Sequence, residues 1–313
     1  MLGKTAGGLF WMFRYLERSE NTARLIDAGH RMALVRGGES SDEWGSVIDT
    51  AGARSSYLVH YNEVDGSSVI DFLLRDKNNP SSVLSAMEAA RSNARLVRTA
   101  ITREVWEAVN ESWMTIKDLL KRPVKDQDLV EVLGVIRQQS ALVRGALHGS
   151  MLRNDVYDFA RIGTFLERAD NTARILDVKY YVLLPSISKI GSPLDNMQWE
   201  TVLRSVAGQR AYRWLTGGEI APLGIAEFLI LDGRMPRSLA FSVRKLAGNL
   251  DFLDKDYGER HTSHDMADAL RNKLRDHSID TIFEYGLHEF LVDFLTDISA
   301  IAGQIERDYR FYG

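Results

Sequence analysis

Residues 15–27 read YLERSENTARLID, and residues 165–177, 150 positions further on, read FLERADNTARILD. Eight of the thirteen letters are identical, among them Glu, Arg, Asn, Arg and Asp, and most of the exchanges are gentle ones such as Tyr for Phe. On a helix advancing roughly 100° per residue, Glu17, Asn21, Arg24 and Ala28 fall within a stripe about 60° wide, with Tyr15, Leu16, Thr22 and Ile26 towards the far side. Glu167, Asn171, Arg174 and Val178 repeat the stripe, with Phe165, Leu166, Thr172 and Leu176 opposed. Arg18 and Arg168 sit on the shoulder between the polar and apolar arcs. A solvated face supported by the i,i+4 pairs Glu20–Arg24 and Asp170–Arg174 would explain charge, each pair contributing ~0.2–0.5 kcal/mol. It would not explain repeated identity, because exposed Glu, Gln and Lys are interchangeable in water. Apolar residues at further angles, Phe13 and Leu25 among them, suit helices buried nearly all round. An internal duplication is therefore expected, the two helices packing across a pseudo-twofold axis as like surfaces do in an isologous contact. Glu17 then faces Arg168 or Arg174, and Glu167 faces Arg18 or Arg24.

The rest of the chain fits long helices. Six prolines in 313 residues are few, apolar positions recur at three and four residues, and no series of alternating strand patterns stands out. Helices are expected at 10–35, 42–60, 67–74, 81–109, 126–148, 156–184, 196–206, 211–215, 220–231, 238–255, 266–275 and 279–309. The pair Gly37–Gly38 closes the first, Ser41 or Asp42 opens the second, and Pro185 breaks the helix that begins at Val156. Connections this short predict one all-α bundle-like body over residues 1–313, its repeat halves approximately 1–150 and 151–313.

With 39 basic against 43 acidic residues the net charge is −4, which gives no overall attraction to nucleic acid or anionic lipid. Cysteine is absent, excluding disulfides, thiolate metal sites and cysteine nucleophiles. The opening MLGKTAGGLFWMFRYLERSE is broken by Gly7 and Gly8 and runs straight into charges. It reads as neither a signal peptide nor a membrane span, so a cytoplasmic location is expected.

Residues 88–110, EAARSNARLVRTAITREVWEAVN, echo the motif more weakly. On one continuous helix Arg91, Arg95 and Arg98 would form a basic ridge at i, i+4 and i+7, seeking carboxylates of another helix or an anionic ligand. Trp106 reads as core. Arg234 and Arg237, beside a helix N-terminus, read as solvent-facing arginines, with anion binding at the positive helix end as the sharper alternative. Ser238 reads as that helix's cap. His261 and His264 form a weak zinc signal without a third ligand, the HEF at 288–290 lacks a second histidine, and there is no Walker A sequence. Neither a metal nor a cofactor is expected.

Taken together, RYLERSENTARLID, RIGTFLERADNTARILD, ARSNARLVRTAITREVWEAVN and FLILDGRMPRSLAFSV resemble the bacterial alpha-E family over the whole chain. The resemblance implies an all-helical domain whose Glu-Arg motif corresponds to Glu17-Arg18 and Glu167-Arg168. It also implies partners: a circularly permuted ATP-grasp protein, a transglutaminase-like peptidase and sometimes a proteasome-like peptidase, a setting in which peptide or amide bonds are made and removed. It carries no catalytic role onto Glu17 or Glu167.

The candidate charged site is thus Glu17, Arg18, Asn21, Arg24, Glu167, Arg168, Asn171 and Arg174, joined by Arg95 and Arg98 of the basic ridge. Three readings follow. The first is an accessory protein of an ATP-grasp amide-ligase system, binding the ligase or a peptide or anionic ligand through the Arg/Glu cluster. The second is an enzyme of that system using Glu17 or Glu167 as acid or base. The third is a structural oligomer with a structural charge network. Adjacent guanidinium groups lower a carboxyl's pKa and make it a weaker base at neutral pH, which favours clamping over proton transfer.

Overall fold

The computed structural model describes residues 1–35, 41–182, 193–218 and 221–312. Among the described residues the chain is all-α, with fifteen helices and no strand. They are α1 (Gly3–Val35), α2 (Ser41–Thr50), α3 (Arg54–His60), α4 (Gly66–Leu74), α5 (Val83–Leu96), α6 (Arg103–Leu119), α7 (Asp126–Ser150) and α8 (Asp155–Val182). There follow α9 (Pro193–Ser205), α10 (Gln209–Thr216), α11 (Pro222–Ile230), α12 (Leu239–Tyr257), α13 (Thr262–Asp276), α14 (Ile279–Tyr285) and α15 (Leu287–Asp308). The stop expected at Gly37–Gly38, the break at Pro185 and the start at Ile220 lie outside the described residues.

Helices α1 and α8, of 33 and 28 residues, form the central pair, and each carries one copy of the repeated segment. Their apolar arcs bury Phe10, Phe13, Leu16, Phe165, Leu166 and Ala169. Close approach depends on Gly163: a Cβ there would collide with the carbonyl of Phe10, whose Cα would lie 3.2 Å away. α5 and α7 also pack on α1, α12 and α15 on α8, while α6 covers α5 and α7. No helix of the described residues is long and apolar enough to cross a membrane.

Three expected helices are each two, for local reasons. The 42–60 segment breaks at Gly52, whose φ of +64° puts it in the left-handed region where a side chain is strained. The 279–309 segment breaks at Gly286, φ +113°. The 81–109 segment breaks between Leu96 and Arg103 because Thr102 turns extended and its side chain caps α6, accepting from the amide of Val105. α6 then runs on to Leu119, ten residues past the expected end at Val109. The last break overturns the basic ridge: Arg98 lies in the turn after α5, so it is not one helical face with Arg91 and Arg95.

Candidate functional site: a buried Glu-Arg cluster and its cavity

Two reciprocal clamps join α1 to α8. Arg168 donates from Nε to Oε1 of Glu17 at 2.9 Å and from Nη2 to Oε2 at 3.0 Å. In the opposite sense Arg18 donates to Glu167, Nε to Oε1 at 2.6 Å and Nη2 to Oε2 at 3.0 Å. Both are two-point guanidinium–carboxylate contacts, the geometry that only arginine supplies. Glu17 is 2% exposed and Glu167 6%, so desolvation is severe and one arginine each is not the whole answer. Arg14 donates to Oε2 of Glu167 at 2.9 Å, and Arg237, from the turn before α12, reaches Oε1 of Glu17 at 2.9 Å.

Glu20, fully buried, is held by three arginines. Arg24 donates from Nε and Nη2 to its Oε1 at 2.9 and 2.8 Å, Arg237 Nη2 donates to the same oxygen at 2.8 Å, and Arg144 of α7 donates to Oε2. Arg237 Nη1 also donates to Oδ1 of Asn21 at 2.9 Å, and the Arg237 carbonyl accepts from the Thr172 hydroxyl at 2.9 Å. Burial would raise the carboxyl of Glu17, but Arg168, Arg237 and Arg144 override it and hold it well below the usual range. At Glu167 burial is likewise overridden by Arg18 and Arg14, and the carboxyl is lowered. At Glu20, Arg237, Arg144 and Arg24 prevail over burial and over the like charge of Glu17. Burial and the neighbouring Arg168 push Arg237 the other way, down to about 10 against the pull of Glu17 and Glu20. All three carboxylates are ionised at neutral pH.

Beside the Arg18–Glu167 clamp lies a polar cavity of about 220 Å³. Arg18, Asn21 and Thr22 of α1 face Glu167, Asp170, Asn171 and Arg174 of α8 across it, and Ser81, from the turn before α5, closes one side. Ser81 accepts from Arg18 Nη1 at 3.4 Å. Arg174 is tied back to Asp170 of its own helix, at 2.7 and 3.2 Å. Asn21 is 3% exposed, and its buried Nδ2 has no hydrogen-bond partner.

Comparison with known families agrees with an all-helical frame carrying Glu-Arg pairs: residues 1–310 match alpha-E, a predicted alpha-helical domain with a conserved ER motif. The chain belongs to the alpha-E family. Similar proteins include an uncharacterized protein of Mycobacterium bovis and two of Mycobacterium tuberculosis, each 25% identical over 317 residues, covering 93% of this chain and 35% of the relative. The chain thus spans about a third of the length of the curated relatives it matches. No solved structure matches it.

Of the residues singled out in this alpha-E chain, the structure brings seven to the α1–α8 interface, Glu17, Arg18, Asn21, Glu167, Arg168, Asn171 and Arg174, and joins Arg24 to the cluster through Glu20 of its own helix. Arg24 and Arg174 serve their own helices' acids, not the opposite copy's. Arg95 and Arg98 are exposed and lie outside the cluster. Arg98 stacks over the half-buried Trp106 at 5.4 Å, and Arg91 donates to Asn110. Arg234 is exposed and pairs with Asp232, but Arg237 is not the solvent-facing residue expected: it is buried, because two carboxylates and an amide oxygen await it. Ser238 caps α12, accepting from the Phe241 amide. His261 caps α13, where its amide donates to Nδ1 of His264. Sequence reasoning missed Arg14, Arg144 and Arg237 as cluster members. Arg14 and Arg144 carry no sequence signal of their own. Arg237 does, in a second repeat: residues 72–82, FLLRDKNNPSS, match residues 228–238, FLILDGRMPRS, at five of eleven positions.

Proposed function

We propose that this alpha-E chain is an accessory binding protein of an ATP-grasp amide-ligase system, holding the ligase or its peptide substrate at the Arg/Glu cluster, with a transglutaminase-like protein as a further partner. The observation that carries this reading is the saturation of the cluster carboxylates. Glu17, Glu20 and Glu167 are each gripped by at least two arginines, which leaves them ionised and poor proton acceptors. A general base at neutral pH needs a pKa near that pH, and these are displaced away from it. The cavity beside the clamp, by contrast, has the mixed donors and acceptors of a recognition site. The relatives' extra length supports the same reading, since there an alpha-E region is one part of a longer chain.

The test is co-purification of the chain with an ATP-grasp ligase from its own cells, with and without ATP. Stoichiometric capture is expected, weakened at least tenfold per folded molecule by Asp170→Ala or Asn171→Leu. Capture indifferent to both substitutions, or turnover by the isolated chain that disappears in Glu167→Gln, would overturn the reading.

A further inference from the structure

The cavity has a filled counterpart in the same molecule. α4 and α11 are each nine residues long, start 156 positions apart, and lead into α5 and α12 at Val83 and Leu239. Ser82 and Ser238 cap those helices in the same way, each accepting from the amide three residues on. α5 packs along α1 as α12 packs along α8. The two turns, 75–82 and 231–238, align without a gap and share Asp76/Asp232 and Pro80/Pro236. In that register Ser81 stands where Arg237 stands. Both motif arginines reach for their turn, Arg18 Nη1 to the Ser81 hydroxyl and Arg168 Nη1 to the Pro236 carbonyl.

Arg237 shows what the slot is built to hold. Its guanidinium meets Glu17, Glu20 and Asn21. The residues in the corresponding places of the second copy are Glu167, Asp170 and Asn171, and all three line the cavity beside Ser81. We infer that this cavity is a receptor for an arginine side chain of a partner protein, whose guanidinium would lie between Glu167, Asp170 and Asn171 as Arg237 lies between Glu17, Glu20 and Asn21. The inference rests on the binding reading above and on the two halves being copies of one unit.

Size and charge agree. A volume of about 220 Å³ is several times the roughly 30 Å³ that one water claims, and Ser in place of Arg is what leaves it. Arg18 and Arg174 line the cavity with Glu167 and Asp170, and Arg14, which is not part of the lining, also pairs with Glu167. Around Arg237, Arg24, Arg144 and Arg168 face Glu17 and Glu20. Three arginines to two carboxylates would by itself draw an anion, yet at the twin position the same balance accommodates a further guanidinium, because each carboxylate oxygen accepts more than one N–H.

N-acetyl-L-argininamide titrated into the full chain tests this, with N-acetyl-L-lysinamide, N-acetyl-L-glutamate and inorganic phosphate as comparators, followed by calorimetry and amide NMR. Saturable one-to-one binding of the arginine probe is expected, at least tenfold tighter than any comparator. Ser81→Arg should abolish it without lowering the unfolding temperature, since the variant supplies the side chain the slot accepts. Asn171→Leu, which leaves the ion pairs intact, should weaken it at least tenfold and reads the same slot if Ser81→Arg misfolds. Tighter binding of glutamate or phosphate, no saturable arginine binding, or arginine binding unchanged in a folded Ser81→Arg or Asn171→Leu chain would overturn the inference. Ligase capture that persists while the wild-type chain ignores the arginine probe removes this inference alone. Probe binding without any ligase capture removes the proposed function alone.

Discussion

Arg168 grips both oxygens of Glu17 across the α1–α8 interface, at 2.9 and 3.0 Å, with side chains only 10% and 2% exposed. A pair this buried does not behave as a surface salt bridge. Desolvation of two charges offsets much of their attraction, so the pair specifies which faces meet more than it stabilises them, but removing one member strands the other. Arg168→Ala should therefore lower the unfolding free energy by about 3–5 kcal/mol in urea titration. Arg168→Lys should recover less than half of that, because an ammonium cannot make the two-point contact. A loss under about 1 kcal/mol, the surface-pair range, would mean that Arg237 and Arg144 alone suffice for Glu17.

Acid should attack this interface first. Glu17, Glu20 and Glu167 all have native carboxyl pKa values below the unfolded 4.5. A depressed carboxyl contributes its full stability above the unfolded value and loses it as pH falls through the native one. Stability should thus decline steeply below about pH 4.5, and Glu167→Gln, less stable at pH 7, should decline less steeply over that window. Parallel curves for the two chains in urea titrations at pH 3, 4, 5 and 7 would show that the clamps are not what acid breaks.

Asp158 of α8 has the opposite sign. Burial, with Asp256 and Asp155 adding to it and Arg161 opposing, pushes its carboxyl up to about 7. A raised native pKa means the protonated form is the one the fold accommodates: its contribution is complete below the unfolded value of 3.8 and is lost as pH rises through about 7. Asp158→Asn should match the wild type near pH 4 and exceed it at pH 8, by on the order of 1 kcal/mol. Thermal melts at the two pH values decide it, and a variant less stable than wild type at pH 8 would contradict the assignment.

The clamps were legible in the sequence because both partners of each belong to the repeated segment. Identity between copies placed Glu17 against Arg168 and Glu167 against Arg18 among a small number of pairings, and helical spacing placed Arg24 on Glu20 and Arg174 on Asp170. Arg14 and Arg144 were not legible, since each comes from outside the repeated letters, and Arg237 was hidden because the second repeat is weak and carries Ser81 in its place. The helix breaks at Thr102 and Gly286 were hidden for a different reason. Apolar spacing runs on across both sites, so a period-based reading joins segments that a capping side chain or a positive φ separates.

Gly163 explains how the two charged helices come near enough for the clamps to close. It lies on α8 one turn before Glu167, and its bare Cα rests against the Phe10 carbonyl of α1. In the other copy the position 150 residues earlier is Phe13, which is buried, so the small residue is needed on one side of the crossing only. Overpacking a core typically costs 1–3 kcal/mol, and here the obstacle is backbone, which cannot rotate away as a side chain tip would. Gly163→Ala should therefore destabilise by at least about 2 kcal/mol, outweighing the roughly 1 kcal/mol that Ala gains over Gly inside a helix. Gly149→Ala, at a helical position where a Cβ meets nothing within 4 Å, is the matched control and should be neutral or stabilising. Equal effects of the two substitutions on the urea midpoint would show that α1 and α8 are not held together at Gly163.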